Sequence, residues 1–366
     1  METARAYLIT HRSGLYEEIF FTRGVKFQYP VTALLFMGSA GRGMLNPVSW
    51  MSTLLTAVIS AVILRRALRN AGDAESGAWG AALFAASVFL GLTFYPLVKA
   101  YSLGQIQTWL DAAFALWVLC WMGGYRGRSG VLLGFMCLIK PTFALLLGWA
   151  VVRREWGTLL AAVATFAIGS AVAIWRYGGA NVFGYLRVLS FLGRRGEAFY
   201  PNQSFNGVLN RLVGNGSNLE WRYFEFPAVH PAVVAGSAIA LVVLVALAWF
   251  VPAGTAGEGG VVDLCLSALT ATVTAPIAWE HHYGIMLPMY AAVTPRLLLD
   301  RPFGAGTIPA LAVSFVAAAN FVPQANRLAA TALNPLQSYL LGSALLMLAL
   351  MYSTVKGPTG CVQRVP

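Results

Sequence analysis

Residues 130–152 read GVLLGFMCLIKPTFALLLGWAVV. Arg126 and Arg128 precede this run, and Arg153 and Arg154 follow it. At 23 residues it is long enough to cross a ~30 Å hydrocarbon core once and too short to cross it twice. Basic flanks at both ends place both ends on the same side of a membrane. The two statements agree if the chain enters as one half-helix and returns as another. Lys140-Pro141 stands at the midpoint, where a turn is needed. Proline removes a backbone donor and disfavours helix in the residue before it. Broken backbone of this kind is tolerated only against protein or a water-filled cavity. A lysine there is costly and marks a functional position. The other reading is one continuous helix with Lys140 snorkelling to the interface.

The composition around this run is that of a membrane protein. Of 366 residues, 58% are hydrophobic and 11% charged, with mean hydropathy +0.66. Soluble domains carry about 25% charged residues. Apolar runs near 47–64, 79–97, 105–122, 157–175, 232–252, 261–278, 283–298, 305–322 and 335–354 read as spans. The expected fold is therefore an all-α integral membrane bundle of about nine spans plus the broken pair, a single membrane-embedded unit over 1–366. The net charge of +11 invites a nucleic-acid reading, but the basic residues are distributed otherwise. Arg65, Arg66 and Arg69 share one loop, with Arg126 and Arg128, then Arg153 and Arg154, in the next two. Arg296 and Arg301 flank a fourth, and Lys356 and Arg364 lie in the tail. Alternating short basic loops are the positive-inside pattern and belong in the cytoplasm. The segments 1–46, 98–104, 176–231, 279–283 and 322–334 are then extracytoplasmic, with 176–231 the large outer loop.

Several features carry less. Cys120, Cys137 and Cys265 lie in apolar runs and Cys361 in the tail, without metal or redox spacing. AGTAGEGG at 253–260 reads as a flexible cytoplasmic loop. Residues 1–28 hold neither a span nor a signal peptide, yet the topology puts them outside. The expectation is that a transmembrane helix precedes Met1 and is missing from this sequence.

The polar groups that carry chemistry converge on the outer surface. In TAPIAWEHHYGIMLP, 274–288, Trp279, Glu280, His281, His282 and Tyr283 interrupt two apolar runs, and two of the four histidines are there. Adjacent side chains on a helix point about 100° apart, which disfavours one shared metal. An acid–base role, or donation to an anionic group, is weighed against helix capping and headgroup contact. Glu280 is placed to hold an imidazole in one tautomer. In the large outer loop, 183–192 reads as a short interfacial helix carrying Arg187. Arg194 and Arg195 follow, with the fork geometry that suits phosphate. Next come Asn202, Gln203, Ser204 and Asn206, ahead of an apolar helical pattern; such residues cap helices or bind sugar hydroxyls. Asn202-Gln203-Ser204 and Asn215-Gly216-Ser217 also match the short glycosylation sequon. Gln105 and Gln107 open a span from the outer side, and Tyr29-Pro30 begins another apolar stretch there.

In order along the chain, these motifs resemble glycosyltransferase family 87, polytopic enzymes of the GT-C type. Its Tyr-Pro-Pro stretch corresponds to Tyr29-Pro30-Val31. Its Gly-Gln-x-Asn corresponds to Gly104-Gln105-Ile106-Gln107, with Gln for Asn. Its Leu-Lys-Pro-Thr corresponds to Ile139-Lys140-Pro141-Thr142. Its Asn-Gln-Ser is Asn202-Gln203-Ser204, and its Trp-Asp/Glu-His-His-Tyr is Trp279 to Tyr283. The resemblance implies a membrane enzyme that takes a hexose, mannose by default, from a polyprenyl phosphate on the outer leaflet. The sugar passes with inversion to a lipid-linked glycan or glycolipid acceptor. The resemblance assigns Lys140 and His281 to the phosphate. Tyr29, Gln105, Gln107, Arg194, Asn202, Gln203, Ser204, Glu280, His282 and Tyr283 are assigned to substrate. It implies no cofactor and no metal, and no Asp-x-Asp pair occurs. Its general base is an acid in the first outer loop; Glu2 is the nearest one left, so the chain as given is expected to be impaired. Partners are then membrane lipids, the polyprenyl-phosphate sugar and the acceptor, with no nucleic acid, in a multi-pass cell-membrane protein. A non-catalytic lipid-linked-sugar-binding relative and a lipid or sugar transporter are the rival readings.

Overall fold

The computed structural model describes residues 1–37, 42–70, 77–251, 259–299 and 306–355. Residues 253–258 of the Gly-rich loop, Arg301, Lys356, Cys361 and Arg364 lie outside the described residues. The described chain is α-helical with short 3₁₀ turns and a π-helical turn at Glu17–Thr22, and among the described residues the one β contact is an antiparallel bridge between Asn202 and Trp279.

Each of the nine apolar runs contains a helix. Four helices are long and apolar enough to cross a membrane alone: Asn46–Asn70, Trp156–Tyr177, Pro231–Phe250 and Asn334–Thr354. Ala78–Leu92 and Tyr95–Ser102 form a fifth as a pair bent by 49°. The others are shorter helices: Gln107–Met122, Gly259–Val273, Met286–Leu299 and Thr307–Ala319. Several runs spend their outer residues on breaks and 3₁₀ turns, so counting apolar residues overstates continuous helix. In the 283–298 run, Tyr283 to Ile285 belong to the turn Glu280–Ile285.

The helix Gln107–Met122 defines two ends of the bundle, roughly 24 Å apart at 1.5 Å per residue. At its far end Arg66 Nη2 donates to Met122 O at 3.0 Å. Arg126–Ile139 starts beside that end and stops at Lys140, whose backbone is extended (φ −139°, ψ 99°). A 3₁₀ turn, Pro141–Ala144, and the helix Leu145–Val152 lead back. The return is closed by Arg126 Nε to Glu155 Oε2 at 3.3 Å. Residues 126–155 are therefore a hairpin with Lys140-Pro141 at its tip, as the flanking charges require. Lys140 Nζ donates to Gln107 Oε1 at 3.2 Å, which puts the tip at the opposite end from Arg66 and Arg126.

Small residues let the outgoing limb lie against Trp156–Tyr177. A Cβ on Gly130 would stand 2.6 Å from Ala161 Cβ, and one on Gly134 2.7 Å from Thr165 Cβ. Glycines four apart on one face allow this close approach. The returning limb is tied by Arg153, which donates to Asp263 Oδ2 at 2.7 Å and to Trp249 O at 2.6 Å. Trp149 Nε1 donates to the same carboxylate oxygen at 2.7 Å.

Residues 176–231 carry two helices of their own. Gly179–Arg195 buries Asn181, Tyr185, Val188 and Leu192, the helical spacing of one face. That face covers the N-terminal segment. Leu15 N donates to Asn181 Oδ1 at 3.0 Å, and Tyr185 Oη to Gln28 O at 2.9 Å. A second helix, Phe205–Leu212, is capped by Ser204, whose Oγ accepts from Gly207 N at 3.1 Å.

Candidate active site

Two motif stretches are laced together by backbone. Gln203 N donates to Ala278 O at 2.7 Å and Glu280 N to Pro201 O at 3.0 Å. Asn202 Nδ2 donates to Glu197 O at 2.8 Å and to Pro276 O at 3.2 Å, while its Oδ1 accepts from Ala278 N at 2.9 Å. Gln203 Nε2 donates to Tyr200 O and Gln337 O at 2.8 and 2.9 Å, and its Oε1 accepts from Leu340 N at 3.1 Å. Tyr283 Oη donates to Gln203 O. These residues, with Ser204, are fully buried. Here the sequence reading is corrected. Asn202, Gln203, Ser204 and Tyr283 do not face the cavity described below. Their polar atoms are occupied by backbone groups, and their place is to hold the site's two loops in register. Burial also removes Asn202 as a glycan acceptor.

Above this latch lies a cavity of about 590 Å³. Lys140 from the hairpin tip, Tyr29 and Gln105 line it, as do Glu280, His281 and His282 from the turn. Of the five polar points that the sequence gathers on one surface, Tyr29, Gln105, Lys140 and His281 line this cavity and Asn202 does not. Lys99, Lys26 and Gln28 join them without having been foreseen, as do the aromatic side chains Phe199, Tyr200 and Trp221; Trp279, from the motif stretch, lines the cavity too. Lys99 was legible as a charge next to an apolar run. Lys26 was hidden in a polar segment; its ammonium sits 4.0 Å above the Trp221 ring and 2.6 Å from Glu197 Oε2. Apolar Leu189, Leu192, Ile139 and Ile277 complete the wall.

The histidine pair is resolved by local geometry. The rings are 4.7 Å apart and nearly perpendicular, at 84°. Trp279 N donates to His282 Nδ1 at 3.1 Å. An accepting Nδ1 places the His282 proton on Nε2. Glu280 does not fix a tautomer as expected; its Oε2 accepts from Tyr95 Oη at 2.7 Å instead. Burial, with Lys140 and Lys99 nearby, pushes His281 down to about 3. Burial, Lys140 and His281 hold His282 well below its ordinary value. Both rings are therefore neutral near pH 7 and act as N–H donors or as acceptors. Burial raises the Glu280 carboxyl above its usual range, against the Tyr95 hydrogen bond and the charge of Lys99. His281 Nε2, Glu280 Oε1 and Gln28 Nε2 are buried atoms without hydrogen-bond partners. Three unsatisfied polar atoms from side chains lining one cavity are what a polar ligand would complete.

The remaining expectations fall elsewhere. Gln107 lies behind the wall, bridging Lys140 and Asp111. Arg194 is exposed and lines a separate surface cleft with Arg187, Phe191 and Arg195. It is carried there because it sits on the outward side of Gly179–Arg195, away from Leu192. Glu2 is exposed in the first turn of helix Glu2–Thr10 and lines neither the main cavity nor its 250 Å³ neighbour. Among the described residues, no group of three His, Cys, Asp or Glu side chains is placed to hold a metal ion.

The sequence profile of glycosyltransferase family 87 matches residues 27–277, more than half of the chain. The chain belongs to glycosyltransferase family 87. The match takes in Tyr29, Gln105, Lys140 and the 202–204 latch, and stops just short of Trp279. The chain is similar to a polyprenol-phosphate-mannose-dependent α-(1-2)-phosphatidylinositol pentamannoside mannosyltransferase of Mycolicibacterium smegmatis, with 29% identity over 206 residues. That alignment covers 55% of this chain and 45% of the relative. A protein of the same description from Mycobacterium tuberculosis (strain CDC 1551 / Oshkosh) is 26% identical over 257 residues, 69% of this chain and 54% of the relative. A polyprenol-phosphate-mannose-dependent α-(1-2)-phosphatidylinositol mannoside mannosyltransferase of M. tuberculosis H37Rv is 28% identical over 221 residues, 57% of this chain and 45% of the relative. The aligned part of the chain thus spans about half the length of these curated relatives. No solved structure matches.

Proposed function

We propose that the chain transfers a hexose, mannose, from a polyprenyl phosphate to a lipid-linked glycan or glycolipid at the extracytoplasmic face of the cell membrane. The observation that carries this is the composition of the cavity. Lysine ammoniums and unsatisfied histidine, glutamate and glutamine atoms share one space with aromatic faces and an apolar wall. Cations suit the phosphate, aromatic rings and amides suit the sugars, and the apolar wall suits the prenyl chain. The names of the relatives support the donor and a glycolipid acceptor.

The acceptor hydroxyl oxygen attacks the anomeric carbon as the carbon–oxygen bond to phosphate breaks. Charge develops on the departing polyprenyl phosphate. Lys140 and Lys99 stabilise that charge, and His281, a neutral imidazole, donates a hydrogen bond to it. The hydroxyl proton goes to a carboxylate. Glu280 lines the cavity and Glu2 does not, so the geometry favours Glu280. The reading needs no metal or cofactor step.

The test is transfer from radiolabelled polyprenyl-phosphate mannose in membranes, with Lys140→Met, His281→Ala, Glu280→Gln and Glu2→Gln compared at matched expression. Loss in the first three, with activity kept in Glu2→Gln, is expected. Wild-type transfer by Lys140→Met overturns the donor site. Loss in Glu2→Gln with activity kept in Glu280→Gln transfers the base role to Glu2.

A further inference from the structure

Asp111 stands one turn inside helix Gln107–Met122 and is fully buried. It belongs to no motif discussed so far. Its Oδ1 accepts from Gln107 Nε2 at 2.8 Å, while Oδ2 has no partner. Gln107 Oε1 accepts in turn from Lys140 Nζ at 3.2 Å. The amide of Gln107 is therefore oriented one way, carbonyl to the ammonium and NH₂ to the carboxylate. The flipped amide would set donor against donor and acceptor against acceptor. On its other side Asp111 packs under the histidine turn, where a Cβ on Gly284 would lie 2.6 Å from Asp111 Cγ.

A carboxylate in apolar surroundings with one hydrogen bond is strongly unfavourable unless a cation compensates it. Through the Gln107 amide, Asp111 is the acid that shares a hydrogen-bond chain with Lys140. Glu280, the other acid near the cavity, is bonded to Tyr95 and acted on by Lys99. Of the remaining groups facing Lys140 across the cavity, His281 and His282 are neutral, and Tyr29 is tied to Gln105 through Tyr29 Oη to Gln105 Oε1 at 3.2 Å. Lys26 has its own carboxylate in Glu197. The acids and lysines thus sort into separate pairs, with Asp111 belonging to Lys140.

We propose that Asp111 is the counter-ion of Lys140: a positioning residue that, through Gln107, fixes the ammonium at the cavity wall where the donor phosphate binds. The proposal rests on the donor-site reading above. It gives the buried carboxylate a role that does not depend on touching substrate. It also explains why the residue between the two charges is an amide: a carboxylate at position 107 would pair with Lys140 directly and compete with phosphate, and an apolar residue would break the link.

The experiment uses Asp111→Asn, Lys140→Met and the double variant in the full chain. Asparagine keeps an acceptor for Gln107 Nε2 and removes only the charge. Asp111→Asn should raise KM for polyprenyl-phosphate mannose by roughly 10- to 100-fold, the range over which groups of one charge network couple, and change kcat less. In the Lys140→Met background it should cost nothing further. Thermal unfolding in detergent gives a readout independent of turnover. Lys140→Met strands a buried carboxylate and should melt lower; adding Asp111→Asn should recover most of that loss, without recovering transfer. An unchanged KM in Asp111→Asn, losses that multiply in the double variant, or no recovery of the melt would overturn the proposal. If Lys140→Met transfers like wild type, the donor reading fails, and the melts alone still decide whether the two charges are paired.

Discussion

Replacing Gly284 by alanine tests whether the histidine turn and the Asp111 carboxylate are packed as described. The added Cβ would lie 2.6 Å from Asp111 Cγ and 2.8 Å from Oδ1. Ordinary carbon contacts are about 3.5–4.0 Å, so the overlap is about 1 Å. Gly284 does not have a positive φ, so alanine fits its backbone and the penalty is steric. The carboxylate is fully buried and tethered to Gln107, and it cannot swing aside into solvent. Overpacking of this kind costs about 1–3 kcal/mol. If Asp111 yields instead, a hydrogen bond to a charged group worth about 1.5–3 kcal/mol is lost. The control is Gly342→Ala, where nothing lies within 4 Å. It sits exposed inside helix Tyr339–Val355, where alanine should stabilise by ~0.5–1 kcal/mol. Thermal melts of the two purified variants in one detergent, with transfer measured alongside, should move in opposite directions. Equal melts, or full activity in Gly284→Ala, would refute the packing of turn on carboxylate.

Cysteines placed at 128 and 154 should both react only with a cytoplasmic thiol reagent; labelling from opposite sides of the membrane would refute the hairpin. His281→Ala should lower turnover by ~10²–10⁴-fold with a smaller effect on donor binding, since positioned proton-handling and charge-stabilising groups act mainly on the rate; radiolabel transfer and a donor-binding assay separate the two. The buried imidazoles should also make the fold acid-sensitive. The unfolded chain protonates His281 near 6.5, whereas the folded chain resists down to about 3. Between those values the unfolded state binds more protons, so this group's contribution is fully present above 6.5 and falls by up to about 1.4 kcal/mol per pH unit below it. His281→Gln should flatten the melting temperature's dependence on pH between 6.5 and 5; an unchanged slope would show that the ring is solvated.

The readable part of the site had a common physical origin. Lys140, Glu280, His281 and His282 are polar side chains inside or between apolar runs, and their cost in lipid makes each conspicuous. Asp111 meets the same criterion and was overshadowed by the amides Gln105 and Gln107 in its own stretch. Lys26 and Gln28 could not be distinguished, because they lie in a segment where polar residues are ordinary. Asn202, Gln203 and Ser204 were conspicuous but misread. The same amides and hydroxyl that would bind a sugar serve equally well to satisfy buried backbone, and only the partners decide which they do.

The one-dimensional pattern of charge and hydropathy was sufficient for the helical membrane fold, the hairpin at 126–155 and the convergence of polar residues at one end. Those properties follow from the cost of leaving polar groups in hydrocarbon, which each segment meets separately. The contacts between distant segments required the tertiary structure. It paired 201–204 with 276–283, turned Arg194 away from the cavity, left Glu2 on the surface and set Asp111 behind Lys140. These outcomes depend on which neighbour fills each hydrogen bond and each ångström of space, and that information belongs to the packed chain as a whole.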